Sequence, residues 1–144
     1  MKQIIFIVAA FLISVTTAFA QVYKVHVSWP AEECNCLDQG NSYYAVKVVV
    51  YDEANDMVVV EGIEERVDFG TYSVNISVPE VNDHCADPNL PYTPNMKVMY
   101  GAVVMYDYTN PPTDLCNNYY SENHTCSDFA NNNPLLLTKL PSFN

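Results

Sequence analysis

The sequence predicts an all-β fold, a single antiparallel β-sandwich of six to seven strands stapled by disulfides. Three observations carry this. Apolar residues recur with period two along nearly the whole chain, with no sustained helical periodicity. Turn signals interrupt that alternation at intervals. The cysteines sit between the alternating runs, behind an N-terminal stretch with the layout of a secretory leader.

Val22 to Trp29 alternates cleanly, with Tyr23, Val25, Val27 and Trp29 on one face and Lys24, His26 and Ser28 on the other, until Pro30 stops it. Tyr43 to Tyr51 reads as a second, valine-rich strand. "DEAND" (52 to 56) is a turn cluster, and "MVVV" (57 to 60) is the return strand of a hairpin. Gly70 precedes Tyr72 to Val78, where Tyr72, Val74, Ile76 and Val78 alternate with Ser73, Asn75 and Ser77. Pro79 ends that run. A proline-bearing loop leads to Met96 to Tyr108, the longest strand candidate. Residues 109–133 read as a long polar, asparagine-rich loop, and Leu135 to Leu140 supplies a short last strand. No helix of consequence is expected. Without internal repeats or a linker, residues 21–144 form one domain, a two-layer sandwich.

"AVKVVVYDEANDMVVVEG" followed by "FGTYSVNISVPE", residues 45–80, resembles the strand, turn, strand, glycine-aromatic-strand rhythm of transthyretin-like (prealbumin-like) sandwich modules. The resemblance implies fold alone and carries no ligand site. The chain departs from that family in its long cysteine-bearing loops. The expected sandwich is therefore immunoglobulin-like or transthyretin-like.

Residues 1–20 read as a signal peptide. Lys2 gives a positive start, Ile4 to Val15 an apolar run too short for a good membrane span, and Ala18-Phe19-Ala20 a small-x-small cleavage site before Gln21. The expected product is secreted, extracellular or at the cell surface, with no membrane insertion. The formal net charge is −11, from 17 acidic and 6 basic residues among 144, and loss of Lys2 adds one more negative unit. Such acidity repels nucleic acid and anionic lipid. Arg66 is the only arginine, which argues against arginine-fork recognition of phosphate.

Five cysteines lie in the expected mature chain. In a secreted protein they read first as a disulfide framework. Cys34 and Cys36 are separated by one residue and Cys116 and Cys126 by nine, which suits neither a paired zinc site nor a Cys-x-x-Cys redox centre. If the strands run simply up and down, Cys34 and Cys36 face Cys116 and Cys126 at one end of the sandwich. Cys85 is then left alone at the other, free or bridged to another chain.

The catalytic inventory is thin: no Gly-x-Ser-x-Gly elbow, no His-Glu-x-x-His helix and no glycine-rich phosphate loop, so no enzymatic activity and no cofactor are expected. Calcium is the candidate ion, with Glu80, Asp83 and Asp87 in one loop as its ligands. Eleven tyrosines against one tryptophan favour an interaction surface. Met96 to Tyr106 is apolar on both faces, which a free sandwich strand need not be. Tyr119 and Tyr120 form a candidate contact tip, and Val22, Val25 and Val27 a strand that can add to a neighbour's open sheet edge. Asn75-Ile76-Ser77 and Asn123-His124-Thr125 match the N-glycosylation sequon. The expected function is a non-enzymatic structural or interaction protein that self-associates, as a homo-oligomer or polymer, into an extracellular or cell-surface assembly. The alternative is a monomeric binding module for carbohydrate, lipid or protein, with calcium dependence as its variant.

Overall fold

The structure is a computed structural model that describes residues 22–30, 42–68, 70–90, 93–106 and 113–140. Residues 1–20, Cys34 and Cys36 lie outside the described residues. The elements follow in the order β1 (Lys24–Ser28), β2 (Ser42–Asp52), β3 (Met57–Asp68), β4 (Ser73–Ser77), α1 (Pro79–Ala86), β5 (Asn95–Tyr106), β6 (Thr113–Thr125), α2 (Cys126–Asn131) and β7 (Leu135–Leu137). They build a three-stranded sheet in the order β4-β1-β7 and a four-stranded sheet in the order β3-β2-β5-β6. The buried faces of the two sheets share one core.

Alternation places the core residues. Val25 and Val27 of β1, Ile76 of β4, and Leu135 and Leu137 of β7 face Tyr44, Val46, Val48 and Val50 of β2 and Met96, Val98, Tyr100 and Ala102 of β5. Each fully buried aliphatic side chain contributes about 1.5–3 kcal/mol of transfer free energy, an upper figure because the unfolded chain is itself partly collapsed. Trp29 closes one end of the core against Tyr44, ring centroids 5.1 Å apart. Most pairings are antiparallel, as expected, but β1 and β7 pair in parallel, Val25 with Leu135 and Val27 with Leu137. Asn133 secures that junction: its Oδ1 accepts from the Lys24 N–H at 3.0 Å, and its Nδ2 donates to the Val22 carbonyl at 3.1 Å.

Three expectations are corrected. The stretch read as a loop from 109 to 133 contains a 13-residue edge strand, β6, and a helix, α2. The strand lies at the edge of its sheet, where polar side chains are ordinarily found. Pro79 does end β4, but it also opens α1, since a proline at the first helical position loses no hydrogen bond and presets φ. The β1 strand is not a free terminal strand. It is the middle of its sheet, paired on both flanks, and Val25 and Val27 are core residues. Of the three residues proposed to add to a neighbour's edge, only Val22 is exposed. Pairing on both sides leaves β1 no hydrogen-bonding flank to offer.

A capping box starts α2. The Thr125 hydroxyl accepts from the Asp128 N–H at 3.2 Å, and the Asp128 carboxylate accepts from the Thr125 N–H at 2.6 Å and from its hydroxyl at 2.9 Å. The Thr125 N–H first, and then its hydroxyl, hold the Asp128 carboxyl below its ordinary range. A carboxyl depressed in the folded state stabilises it above the unfolded-state value, near 4, and loses that contribution as pH falls through the folded value. Thr125→Ala is expected to cost about 1 kcal/mol at pH 7. In unglycosylated protein, the urea midpoint of the variant should then fall less steeply between pH 5 and the folded value than that of the wild type.

Candidate functional site

The residues that alternate away from the core on the four-stranded sheet form ordered rungs. Lys97 lies between Tyr51 and Asn123, with Val58 beyond Tyr51. The next rung holds Val49, Met99 and Ser121. The next runs Glu64, Lys47, Gly101, Tyr119, and the next holds Arg66, Ala45 and Val103. An outer sheet face is ordinarily polar. Here its middle is a groove of about 450 Å³ lined by Lys47, Val49, Met99, Gly101, Tyr119 and Ser121.

Gly101 gives the groove its shape. A Cβ built there would lie 2.3 Å from the Tyr119 ring and 2.6 Å from the Asn118 carbonyl, so only glycine lets the ring lie across β5. Glycine within a strand weakens it, and a close approach by another group is the usual compensation. Tyr119 is 56% exposed and Met99 37%, so both stand out from the face beside the concavity they help to line.

The charge of this face departs from that of the chain. Across these rungs Lys47, Lys97 and Arg66 stand against Glu64, with the exposed Glu61 at the irregularity of β3 between Val60 and Ile63, in a protein with almost three acids per base. Lys47 pairs with Glu64 at 3.1 Å, and Glu53 reaches Lys97 at 3.3 Å from the neighbouring turn. The Arg66 guanidinium lies 4.0 Å from the Tyr43 ring centroid, a cation–π contact. The face is close to neutral while the rest of the surface is acidic.

Tyr120 borders the same groove and is 39% exposed, but successive strand residues point to opposite faces, and its ring meets Tyr100 at 6.0 Å, edge-on. Around it a polar cluster closes the open flank of the sandwich. The Tyr100 hydroxyl donates to Glu122 at 3.0 Å, and Lys139 pairs with Glu122 at 3.3 Å. Burial, and then that bond to Glu122, push the Tyr100 phenol well above its usual range, so it acts as a fixed donor rather than a base.

Cys85 and Cys126 are joined, with their Cα atoms 5.6 Å apart. This overturns the assignment of Cys85 as a free or intermolecular thiol and of Cys126 as a partner for Cys34 or Cys36. The β5 and β6 strands are antiparallel with Asn95 opposite Thr125, so β6 carries Cys126 the length of the sheet to the end where α1 holds Cys85. For Cys116 only the backbone position is described, opposite Val104 in β6.

Glu80 and Asp83 lie on the exposed side of α1, and Asp87 accepts from the Asn89 N–H at 2.8 Å and its Nδ2 at 3.1 Å. Among the described residues, no group of three or more His, Cys, Asp or Glu side chains is arranged to hold a metal ion. The three calcium candidates are thus on a helix and its C-terminal turn rather than around a cavity.

Among the described residues a different carboxylate is fully buried. Asp52 ends β2 with its side chain 0% exposed. Its Oδ1 accepts from the N–H groups of Ala54 and Asn95 at 3.1 and 3.2 Å, and its Oδ2 lies 2.9 Å from His84 Nε2. It ties the hairpin turn, the start of β5 and α1 together.

No family model, curated protein or solved structure matches the chain.

Proposed function

We propose that the chain is a secreted, non-enzymatic β-sandwich that self-associates outside the cell through the outer face of its four-stranded sheet, a second copy being the occupant of the groove. The observation that carries this reading is a near-neutral, apolar and aromatic face on a strongly acidic chain. Two copies repel each other everywhere the surface is acidic, and least where Lys47, Lys97 and Arg66 offset the local carboxylates. Tyr119 and Met99 project beside a concavity on the same face, and an isologous pair seats each projection in the other copy's groove. Four rungs of four strands cover about 500 Å² per copy, or roughly 1,000 Å² in total, the size of a weak, reversible interface. Cys85 is paired inside the chain with Cys126, so the association does not run through a Cys85 bridge.

Secretion rests on the leader-like residues 1–20. No described helix is long and apolar enough to cross a membrane. On the finer fold, support for the transthyretin-like arrangement comes from β2 and β3 pairing in one sheet. The immunoglobulin sandwich puts its second and third strands in different sheets.

Sedimentation velocity over a concentration series tests the proposal. The wild type should move from monomer to dimer in the micromolar range, and Tyr119→Asp should remain monomeric with an unchanged melting temperature. Gly101→Ala, which displaces the Tyr119 ring, should weaken the dimer as well. Monomeric wild type throughout that range would overturn the reading. A melting-temperature increase with a glycan, abolished by Tyr119→Asp, would transfer the groove to the carbohydrate-binding alternative.

A further inference from the structure

We propose that Asn123 is the acceptor for an N-linked oligosaccharide and that this glycan gates the face through which the chain associates. The inference rests on the secreted, self-associating reading above and adds its regulation.

The sequon Asn123-His124-Thr125 ends β6, the outermost strand of the four-stranded sheet. Asn123 is exposed and lies on the rung that holds Lys97 and Tyr51, on the same face as Ser121 and Tyr119. Its Nδ2 donates to Glu53 Oε2 at 3.0 Å. An amide nitrogen carries two hydrogens and glycosylation removes one, which leaves one N–H to donate to a neighbour such as Glu53. The site is thus compatible with the fold after transfer.

Transfer takes place before folding. In the folded chain the Thr125 hydroxyl is engaged twice with Asp128, and the Asn123 backbone is part of the strand. On the extended nascent chain, Asn123 Nδ2 attacks the anomeric carbon of a polyprenyl-diphosphate-linked oligosaccharide. A nitrogen–carbon bond forms, the bond from that carbon to the diphosphate oxygen breaks, the diphosphate leaves with its electron pair, and the amide proton is lost to a base.

The consequence for association is steric. Four residues along a strand separate Asn123 from Tyr119, about 13 Å, within the sweep of a branched oligosaccharide. The glycan therefore occupies the solvent above the groove that a second copy needs. The other sequon provides an internal control. Asn75 is exposed on β4 of the opposite sheet, where its Oδ1 lies 2.7 Å from His26 Nδ1. A glycan there projects from the other layer and leaves the groove clear.

The test is secretion of the full chain from a eukaryotic host, peptide mapping after enzymatic glycan release in ¹⁸O water, and sedimentation velocity of wild type, released wild type, Asn123→Gln and Asn75→Gln. Asn123 should be occupied. The glycosylated wild type should associate roughly tenfold or more weakly than Asn123→Gln, and Asn75→Gln should match the wild type. An unmodified Asn123, including the case of a chain never secreted, overturns the acceptor assignment whatever the protein's association. An occupied Asn123 with equal association in all four proteins overturns the gating. If the four are equal because all are monomeric, the self-association reading fails with it, while the acceptor assignment stands.

Discussion

Asp52→Ala is expected to destabilise the folded chain by about 3–5 kcal/mol, because buried donors lose their acceptor and a cavity is left. Among the described residues the change strands at least three groups. The N–H groups of Ala54 and Asn95 lose their acceptor, and the His84 ring, itself mostly buried, loses the carboxylate 2.9 Å away. A buried donor without a partner costs its full desolvation penalty, about 1–3 kcal/mol each, and the vacated volume adds a cavity term. Asp52→Asn separates the contributions. An amide oxygen can still accept from both backbone groups, and its nitrogen can donate to a neutral His84 ring, so the cost should fall to less than half that of alanine. Urea unfolding of the three proteins measures this. Equal losses for the two substitutions would show that the charge, not the acceptor geometry, holds the turn.

Cys85→Ser/Cys126→Ser is expected to cost about 4 kcal/mol, because the bridge joins positions 41 residues apart and the loss of loop-closure entropy in the unfolded chain scales with the logarithm of that separation. The two half-cystines also pack against the core, so the staple holds α1 and α2 onto the end of the sandwich where Asp52 sits. The substituted protein should unfold at a lower urea midpoint and with a steeper slope, because the unfolded chain without the cross-link is more expanded. A non-reducing peptide map of the wild type should contain a Cys85–Cys126 linked pair. Linkage of either to Cys34, Cys36 or Cys116 would contradict the fold of this end.

Much of the fold was legible because alternation is a direct consequence of strand geometry. Val25 and Val27, Ile76, and the row from Met96 to Ala102 all face the core as their period of two requires. What alternation could not show was sheet order. Val22 to Trp29 reads the same whether it lies at an edge or in the centre, and only pairing with β4 and β7 makes it central. The β6 strand escaped notice because "TDLCNNYYSENHT" lacks an apolar face, and the disulfide pairing failed with it. A chain that turns back along the sheet moves Cys126 to the opposite end, and simple strand parity then assigns it the wrong partner. The site was half visible. Met96 to Tyr106 announced two apolar faces, and Tyr119 and Tyr120 were singled out and are both exposed beside the groove, on opposite sides of their strand. Gly101 was the overlooked signal, a glycine amid valines and methionines that marks a close approach. Asp52 looked like a solvated turn residue because its burial depends on α1, an eight-residue helix hidden behind Pro79.

Two methionines offer the most direct test of the account. Met57 and Met99 are each 37% exposed, the first at the hairpin that begins β3 and the second in the middle of the proposed contact face. Their rates of sulfoxide formation under dilute peroxide, followed by mass spectrometry at low and high concentrations of unglycosylated protein, report which surface a second copy covers. The account predicts that Met99 becomes protected relative to Met57 as concentration rises, and that Tyr119→Asp removes the protection. Constant relative rates, or protection of Met57 alone, would contradict self-association through this face.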